Sequence, residues 1–129
     1  MKVLSADQLR RVCGGILRAV GALEDEAEIV ADSLVKANLR GVDSHGVIRL
    51  PVYVNRVKYG TIIPGAPFRV VRETPSAALV DGGSGFGQVI AVKAMKLAVE
   101  KARRTGVGAV SVRNTNHFGM AAYYALIEL

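Results

Sequence analysis

Two side chains with complementary chemistry lie four residues apart in the segment GVDSHGVIRLP, residues 41–51. The imidazole of His45 can donate or accept a proton near neutral pH. The guanidinium of Arg49 can hold a carboxylate through two hydrogen bonds. If this segment is helical, both side chains share one face. A proton donor beside a carboxylate-binding group is what reduction of a 2-oxo acid requires, and Ser44 could orient a substrate oxygen.

The same segment also has an ordinary structural explanation. His45 could be a hydrogen-bonded structural histidine at a helix end, and Arg49 could form a surface ion pair with Asp43. Asp43 or Ser44 could cap a short helical turn that carries His45 and Arg49. Because a lone histidine rarely identifies a site, spacing alone favours the structural interpretation.

A glycine-rich loop, residues 82–87, follows a β-prone run and precedes an amphipathic helical pattern. Backbone N–H groups at such a helix N-terminus can bind phosphate. The loop does not match the dinucleotide-binding fingerprint, because Gln88 stands where its third glycine belongs, and it lacks the Lys-Ser/Thr pair of a P-loop. A phosphate-binding loop and a tight turn are equally compatible with this pattern.

A polar loop, residues 113–119, places two asparagines, a threonine and the second histidine, His117, after a β-prone run. Ligands bind at the carboxyl ends of strands in α/β proteins, although an ordinary turn rich in asparagine is the alternative. Two histidines without a ligand spacing such as His-x-x-x-His do not indicate a metal centre. We therefore predict no metal site.

The hydrophobic pattern predicts a helical first part, residues 1–66. A capping box at residues 5–8 opens the first helix, and Gly14 and Gly15 weaken that helix. A second helix is expected from about residue 25 to 40, followed by Gly41 in a left-handed conformation. A third helix begins near Pro51, with Tyr53 facing the core, and ends at Gly60.

The second part, residues 67–129, reads as β-β-α-β-α, which gives a mixed α/β fold class. The expected strands cover residues 68–73, 77–81 and 107–112. The expected helices cover residues 88–104 and residues from Met120 to the last residue. No internal repeat is visible.

Composition narrows the class of protein. The 129 residues carry a net charge of +6, but no run of basic residues is longer than two. The seven Phe and Tyr residues are not interleaved with the basic residues, so we expect no nucleic-acid partner. Without a long apolar run or signal-like N-terminus, we expect a cytoplasmic protein with no membrane partner. The single cysteine, Cys13, lies in an apolar-rich segment and is predicted to be a buried thiol.

Three segments resemble the malate/L-lactate dehydrogenase family, which also includes sulfolactate, ureidoglycolate and diketogulonate oxidoreductases. They are ANLRGVDSHGVIRLP at residues 37–51, DGGSGFGQ at residues 81–88 and GVGAVSVRNTNHFG at residues 106–119. Their order and separation match those of the family, and together with their surroundings they cover nearly the whole chain. This family is distinct from the Rossmann-type lactate and malate dehydrogenases.

The resemblance implies NAD- or NADP-dependent interconversion of a 2-hydroxy acid and its 2-oxo acid, in a homodimer with a non-Rossmann cofactor domain. It assigns proton donation to His45 and substrate binding to Ser44, Arg49 and His117. It places Asn116, His117 and Gly119 near the cofactor.

Members of the family continue well beyond 129 residues, and much of their cofactor contact comes from later sequence. The resemblance therefore implies an oxidoreductase in a truncated form. The alternative is a non-catalytic fragment that acts as an oligomerisation or binding module.

Overall fold

The computed structural model describes residues 3–127, which form five α-helices and a three-stranded sheet. The helices are α1 (Ala6–Ala19), α2 (Glu24–Leu39), α3 (Leu50–Lys58), α4 (Gly87–Thr105) and α5 (Ala122–Ile127). The strands are β1 (Arg69–Glu73), β2 (Ala77–Asp81) and β3 (Ala109–Arg113). Two single 3-10 turns, Asp43–His45 and Val47–Arg49, separate α2 from α3. The mixed α/β class and the β-β-α-β-α order of the second part are confirmed.

The local signals at the helix ends behave as predicted. The Ser5 hydroxyl accepts from the backbone of Gln8, and the Gln8 side chain accepts from the backbone of Ser5, which completes the capping box of α1. Helix α1 continues through Gly14 and Gly15. Gly41 follows α2 with a φ of 71°, the left-handed conformation that glycine adopts most easily.

The expected cap of the turn after α2 is wrong. Val42, not Asp43 or Ser44, precedes the first 3-10 turn, and no side chain caps that turn. The carboxylate of Asp43 instead accepts a hydrogen bond from Asn38, at the end of α2. This hydrogen bond holds Asp43 against the end of α2.

The sheet has the order β1-β2-β3. Strands β1 and β2 pair antiparallel, as expected for two runs joined by a short connection. Strands β2 and β3 pair parallel, with Leu79 opposite Ser111, and α4 forms the crossover between them. This arrangement puts the loops that follow β2 and β3 at the same edge of the sheet.

One buried cluster links the helical part to the start of α4. Leu17, Val30, Leu34 and Tyr53 pack with Phe86 from the glycine-rich loop, and each is at most 1% exposed. Cys13 is a buried thiol in the same cluster, as predicted. The core therefore crosses the proposed boundary between residues 1–66 and 67–129, so the packing of α3 is tied to the loop that begins α4.

The last helix begins later than predicted. Helix α5 starts at Ala122, not at Met120, and the end predicted for it at residue 129 lies outside the described residues. Within residues 3–127, no helix has both the length and the apolar composition needed to span a membrane.

Candidate active site

The turn that carries His45 is held by the last residues of α2. Asn38 accepts a hydrogen bond from the backbone N–H of Val47 at 2.9 Å and donates to the carboxylate of Asp43 at 2.6 Å. Gly46 packs directly against this amide, and a Cβ at residue 46 would collide with the Asn38 side chain. The close approach of Gly46 and Asn38 thus fixes both 3-10 turns on the end of α2.

Within this turn, Ser44 binds both predicted functional side chains. The Ser44 hydroxyl lies 2.9 Å from Nδ1 of His45, and the Ser44 carbonyl accepts from Nε of Arg49 at 2.7 Å. The alternative ion pair between Arg49 and Asp43 is not observed. Within residues 3–127, neither Nη group of Arg49 hydrogen bonds to the protein, so these two donors can bind a carboxylate.

The second histidine joins this group from the other end of the chain. The rings of His45 and His117 stack with centroids 5.6 Å apart and an interplanar angle of 29°. The loop after β3 thus brings His117 against the turn after α2. The structure therefore unites the two histidines that the sequence separates.

Two further side chains, Tyr53 and Gln88, complete the group. The hydroxyl of Tyr53 lies 2.9 Å from Nδ1 of His117 and accepts from Nε2 of Gln88 at 2.8 Å. Tyr53 is 1% exposed and Gln88 is 0% exposed. Oε1 of Gln88 has no partner among the described residues. A buried polar chain therefore runs from the start of α4 to the histidine pair.

Sequence reasoning assigned Tyr53 to the core and gave Gln88 no role. The available signal for Tyr53 was its position four residues after Arg49, one helical turn further along the same face. The signal for Gln88 was a polar residue at the buried start of an apolar helix stripe. Neither signal points to the partner, because Tyr53 and His117 lie 64 positions apart along the chain and Gln88 and Tyr53 lie 35 positions apart.

The loop after β3 is anchored by Asn116. Its amide nitrogen donates to the carbonyl of Ser84 at 2.9 Å, of Gly85 at 3.0 Å and of Thr61 at 3.1 Å. Gly87 completes the fit, since a Cβ there would overlap the carbonyl oxygens of residues 116 and 117. The amide nitrogen of Asn116 is thus committed to holding His117 in place.

The glycine-rich loop is a tight turn in this structure. The N–H of Gly83 donates to Asp81, that of Ser84 to the carbonyl of Asn114, and that of Gly85 to the carbonyl of Gly82. These three donors already have intramolecular partners, so they do not form a phosphate-binding nest. The tight-turn alternative accounts for the sequence pattern.

Asp81, at the end of β2, binds the two loops together. Its carboxylate accepts from the backbone of Gly83 and from the side chains of Asn114 and Arg113. The hydrogen bond from Gly83, followed by that from Asn114, holds the pKa of Asp81 below its usual value. The carboxylate stays charged near neutral pH and keeps the polar loop fixed against the glycine-rich loop.

The electrostatics of the site favour neutral side chains in its interior. Burial lowers the pKa of His117, and the positive charges of Arg49 and, less strongly, His45 and Arg56 lower it further. Burial also raises the pKa of Tyr53, although the hydrogen bond from Gln88 opposes that shift. At neutral pH, His117 is therefore an uncharged imidazole beside an un-ionised phenol.

An apolar groove of about 530 Å³ lies beside the polar loop, between α4, β3 and α5. Thr115 and Phe118 line it next to His117, and Gly119 adopts a φ of 77° in the same loop. Within residues 3–127, no three His, Cys, Asp or Glu side chains are grouped as a metal ion would require.

Comparison with known proteins identifies the family. The family model described as malate/L-lactate dehydrogenase matches residues 4–127. A malate dehydrogenase from Pyrococcus abyssi is 52% identical over 121 residues, which are 94% of this chain and 33% of that protein. An L-sulfolactate dehydrogenase from Methanocaldococcus jannaschii is 42% identical over 127 residues, which are 98% of this chain and 37% of that protein.

The solved structure of malate dehydrogenase from Pyrococcus horikoshii OT3 superimposes with a TM-score of 0.94 and 48% identity, over 96% of this chain and 36% of that chain. The chain spans about a third of the length of the curated relatives it matches. The family model and the superimposed fold both extend over almost all described residues, and the chain belongs to the malate/L-lactate dehydrogenase family.

Proposed function

We propose that this chain supplies the proton-transfer and carboxylate-binding residues of an NAD- or NADP-dependent dehydrogenase that interconverts a 2-hydroxy acid and its 2-oxo acid. The stack of His45 on His117 is the observation that carries the proposal. It places two titratable imidazoles side by side, within the range of the charge of Arg49. Family membership makes dehydrogenase chemistry the expected use of such a group.

The roles follow from the contacts of each side chain. Arg49 is held by its Nε–H on the carbonyl of Ser44, which leaves its outer Nη groups to bind the substrate carboxylate. His45 gives a proton to the carbonyl oxygen of the 2-oxo acid, while the Ser44 hydroxyl fixes the His45 ring through Nδ1. Ser44 and His117 complete the substrate site.

The loop that contains Asn116, His117 and Gly119 fits the nicotinamide end of the cofactor. The apolar groove beside His117 suits a flat ring, and Gly119 leaves that side of the loop free of a side chain. The nicotinamide, when bound, supplies or accepts the hydride at substrate carbon C2. Because the N–H groups of residues 83–85 are already committed, the cofactor phosphates must bind elsewhere.

The test is a chimera in which this chain replaces the matched third of the Pyrococcus abyssi malate dehydrogenase. We expect the chimera to oxidise NADH or NADPH when it is offered the 2-oxo acids that correspond to malate and related 2-hydroxy acids. His45→Ala should lower kcat by about 100-fold or more, because general acid catalysis contributes that much. Lys58→Ala, on the exposed end of α3, is the control. Full activity of His45→Ala would overturn the role of His45.

A non-catalytic binding or oligomerisation module is the second candidate. Titration of the 129-residue chain with NADH separates the two candidates: micromolar affinity supports a cofactor site within this chain, whereas absent binding, together with an inactive chimera, supports the module.

We also propose that the enzyme is a cytoplasmic homodimer. Sedimentation of the chimera would test the dimer, and cell fractionation would test the compartment.

A further inference from the structure

The buried side chain of Gln88 lies outside the roles proposed above. It is the first polar side chain of α4, fully buried, and it reaches the hydroxyl of Tyr53 rather than solvent. A buried amide costs folding free energy unless its groups are paired, and Oε1 of this amide has no partner among the described residues. Such a residue calls for an explanation beyond packing.

The hydrogen bonds around Tyr53 have a direction. Its oxygen accepts from Nε2 of Gln88, so its single proton is left for another acceptor. Among the described residues, Nδ1 of His117 is the only other group hydrogen bonded to this hydroxyl, at 2.9 Å. Tyr53 therefore donates to Nδ1, and the proton of the neutral His117 ring is on Nε2.

The orientation of the Gln88 amide decides this direction. If the amide were reversed, Oε1 would accept from Tyr53, and His117 would have to donate from Nδ1. That arrangement would leave both N–H groups of the amide without the contact to Tyr53, whereas the observed one leaves one N–H group and Oε1 without a partner among the described residues. Unpaired buried donors are the rarer of the two in folded proteins.

We propose that Gln88 is a positioning residue that, through Tyr53, holds His117 as the Nε2–H tautomer. The Nε2–H group is then the proton that His117 can present to a substrate oxygen, and Nδ1 is occupied. The other titratable or charged groups facing this ring are His45, Arg49 and Arg56, all from the turn after α2 or from α3. None of these three hydrogen bonds to His117, so the tautomer depends on the Gln88–Tyr53 pair.

The direct test is ¹⁵N NMR of the imidazoles at pH 8, where His117 is neutral. The chain has only two histidines, and the His45→Gln variant assigns them. We expect wild-type His117 to be protonated at Nε2. In Gln88→Met the Tyr53 hydroxyl is free to turn, so a population protonated at Nδ1 should appear, and Tyr53→Phe should have the same effect. Gln8→Met and Tyr59→Phe are the matched controls.

A wild-type ring protonated at Nδ1 would overturn the proposal without any variant. A tautomer that is unchanged in both Gln88→Met and Tyr53→Phe would show that the pair does not set it. This measurement needs no turnover, although the catalytic meaning of the tautomer rests on the proposed function.

Kinetics of the chimera provide the second measurement. Gln88→Met should lower kcat by about tenfold or more while KM for the 2-oxo acid stays within about twofold, because a hydrogen bond from Nε2–H of His117 to the substrate oxygen strengthens as negative charge develops there in the transition state. A loss no larger than that of Gln8→Met would count against the positioning role. An inactive chimera with the expected tautomer would instead reject the proposed function and leave the role of Gln88 intact.

Discussion

The candidate active site combines neutral hydrogen-bonding side chains with several positive charges. His117 lies in the field of Arg49 and Arg56 and stacks on His45, and no carboxylate within residues 3–127 hydrogen bonds to either ring. Such surroundings disfavour a second cation and attract an anion. Burial and these charges together keep His117 neutral, and the same charges favour an anion at this site.

Removing one of these charges should change the titration of His117. We expect Arg49→Gln to raise the pKa of His117 towards its ordinary value of 6.5, because the arginine is one of the groups that lower it. NMR titration of the two histidines measures the shift. Arg11→Gln, on the exposed side of α1, is the control. An unchanged pKa of His117 in Arg49→Gln would mean that Arg49 does not contribute to lowering it.

Acid sensitivity of the fold follows from the same pKa. Between the lowered pKa of folded His117 and 6.5, the unfolded chain binds more protons, so falling pH costs stability through this range. Arg49→Gln should reduce that loss, since it narrows the gap between the two pKa values.

At the scale of elements, the position of the turn that carries His45 and Arg49 depends on the end of α2 more than on the sequence of the turn itself. The two 3-10 turns make few hydrogen bonds of their own, and Asn38 supplies the bonds that fix their backbone and Asp43. Gly46 permits the contact. The positions of His45 and Arg49 are therefore set by a residue seven positions before the histidine.

Asn38→Ala should destabilise the fold by about 1–3 kcal/mol, because it removes two hydrogen bonds and leaves the N–H of Val47 without its partner. Chemical unfolding measures this loss, and in the chimera kcat/KM should fall beyond what the stability change explains. Asn55→Ala, at an exposed position of α3, provides the comparison. Equal effects of the two substitutions would contradict the role of Asn38.

At the scale of the whole molecule, local patterns predicted the elements but not their contacts. The capping box, Gly41 and Pro51 each specify a helix end within a few residues, and they were placed correctly. The role of Asn38 and the path from Gln88 to His117 depend on side chains that meet only after folding. The spacing of residues in a single sequence does not encode such long-range contacts.

The cap prediction failed for a related reason. The carboxylate of Asp43 could cap a helix, but in this structure it accepts a hydrogen bond from the amide of Asn38 instead. Helix α5 starts two residues after the position predicted for it, although the carbonyl of Met120 already accepts a hydrogen bond from the N–H of Tyr123.

Three of the four tyrosines are buried and use their hydroxyls in hydrogen bonds, two of which connect distant parts of the chain. Tyr53 bonds to His117, Tyr123 donates to Asp32 at 2.9 Å, and Tyr124 donates to the carbonyl of residue 118. Burial raises the pKa of all three. Un-ionised phenols are therefore favoured in the folded state.

Because these folded-state pKa values are raised, the stability that the phenols contribute is fully present below about pH 10 and is lost as pH rises through the folded values. We expect the free energy of unfolding to fall steadily above pH 10. Tyr123→Phe should reduce this dependence and Tyr59→Phe should not, since Tyr59 is 81% exposed. A pH-independent stability in this range would contradict the expectation.

The stack of His45 on His117 closes a loop of about 70 residues, and this has a kinetic consequence. The turn after α2 needs only its neighbouring helix, but His117 reaches it only after β3 has paired beside β2 and the polar loop has closed over α4. Long-range pairings of this kind form late in folding. The two histidines should therefore come together late, so that a chain still folding carries the two rings apart and joins them only as the polar loop closes.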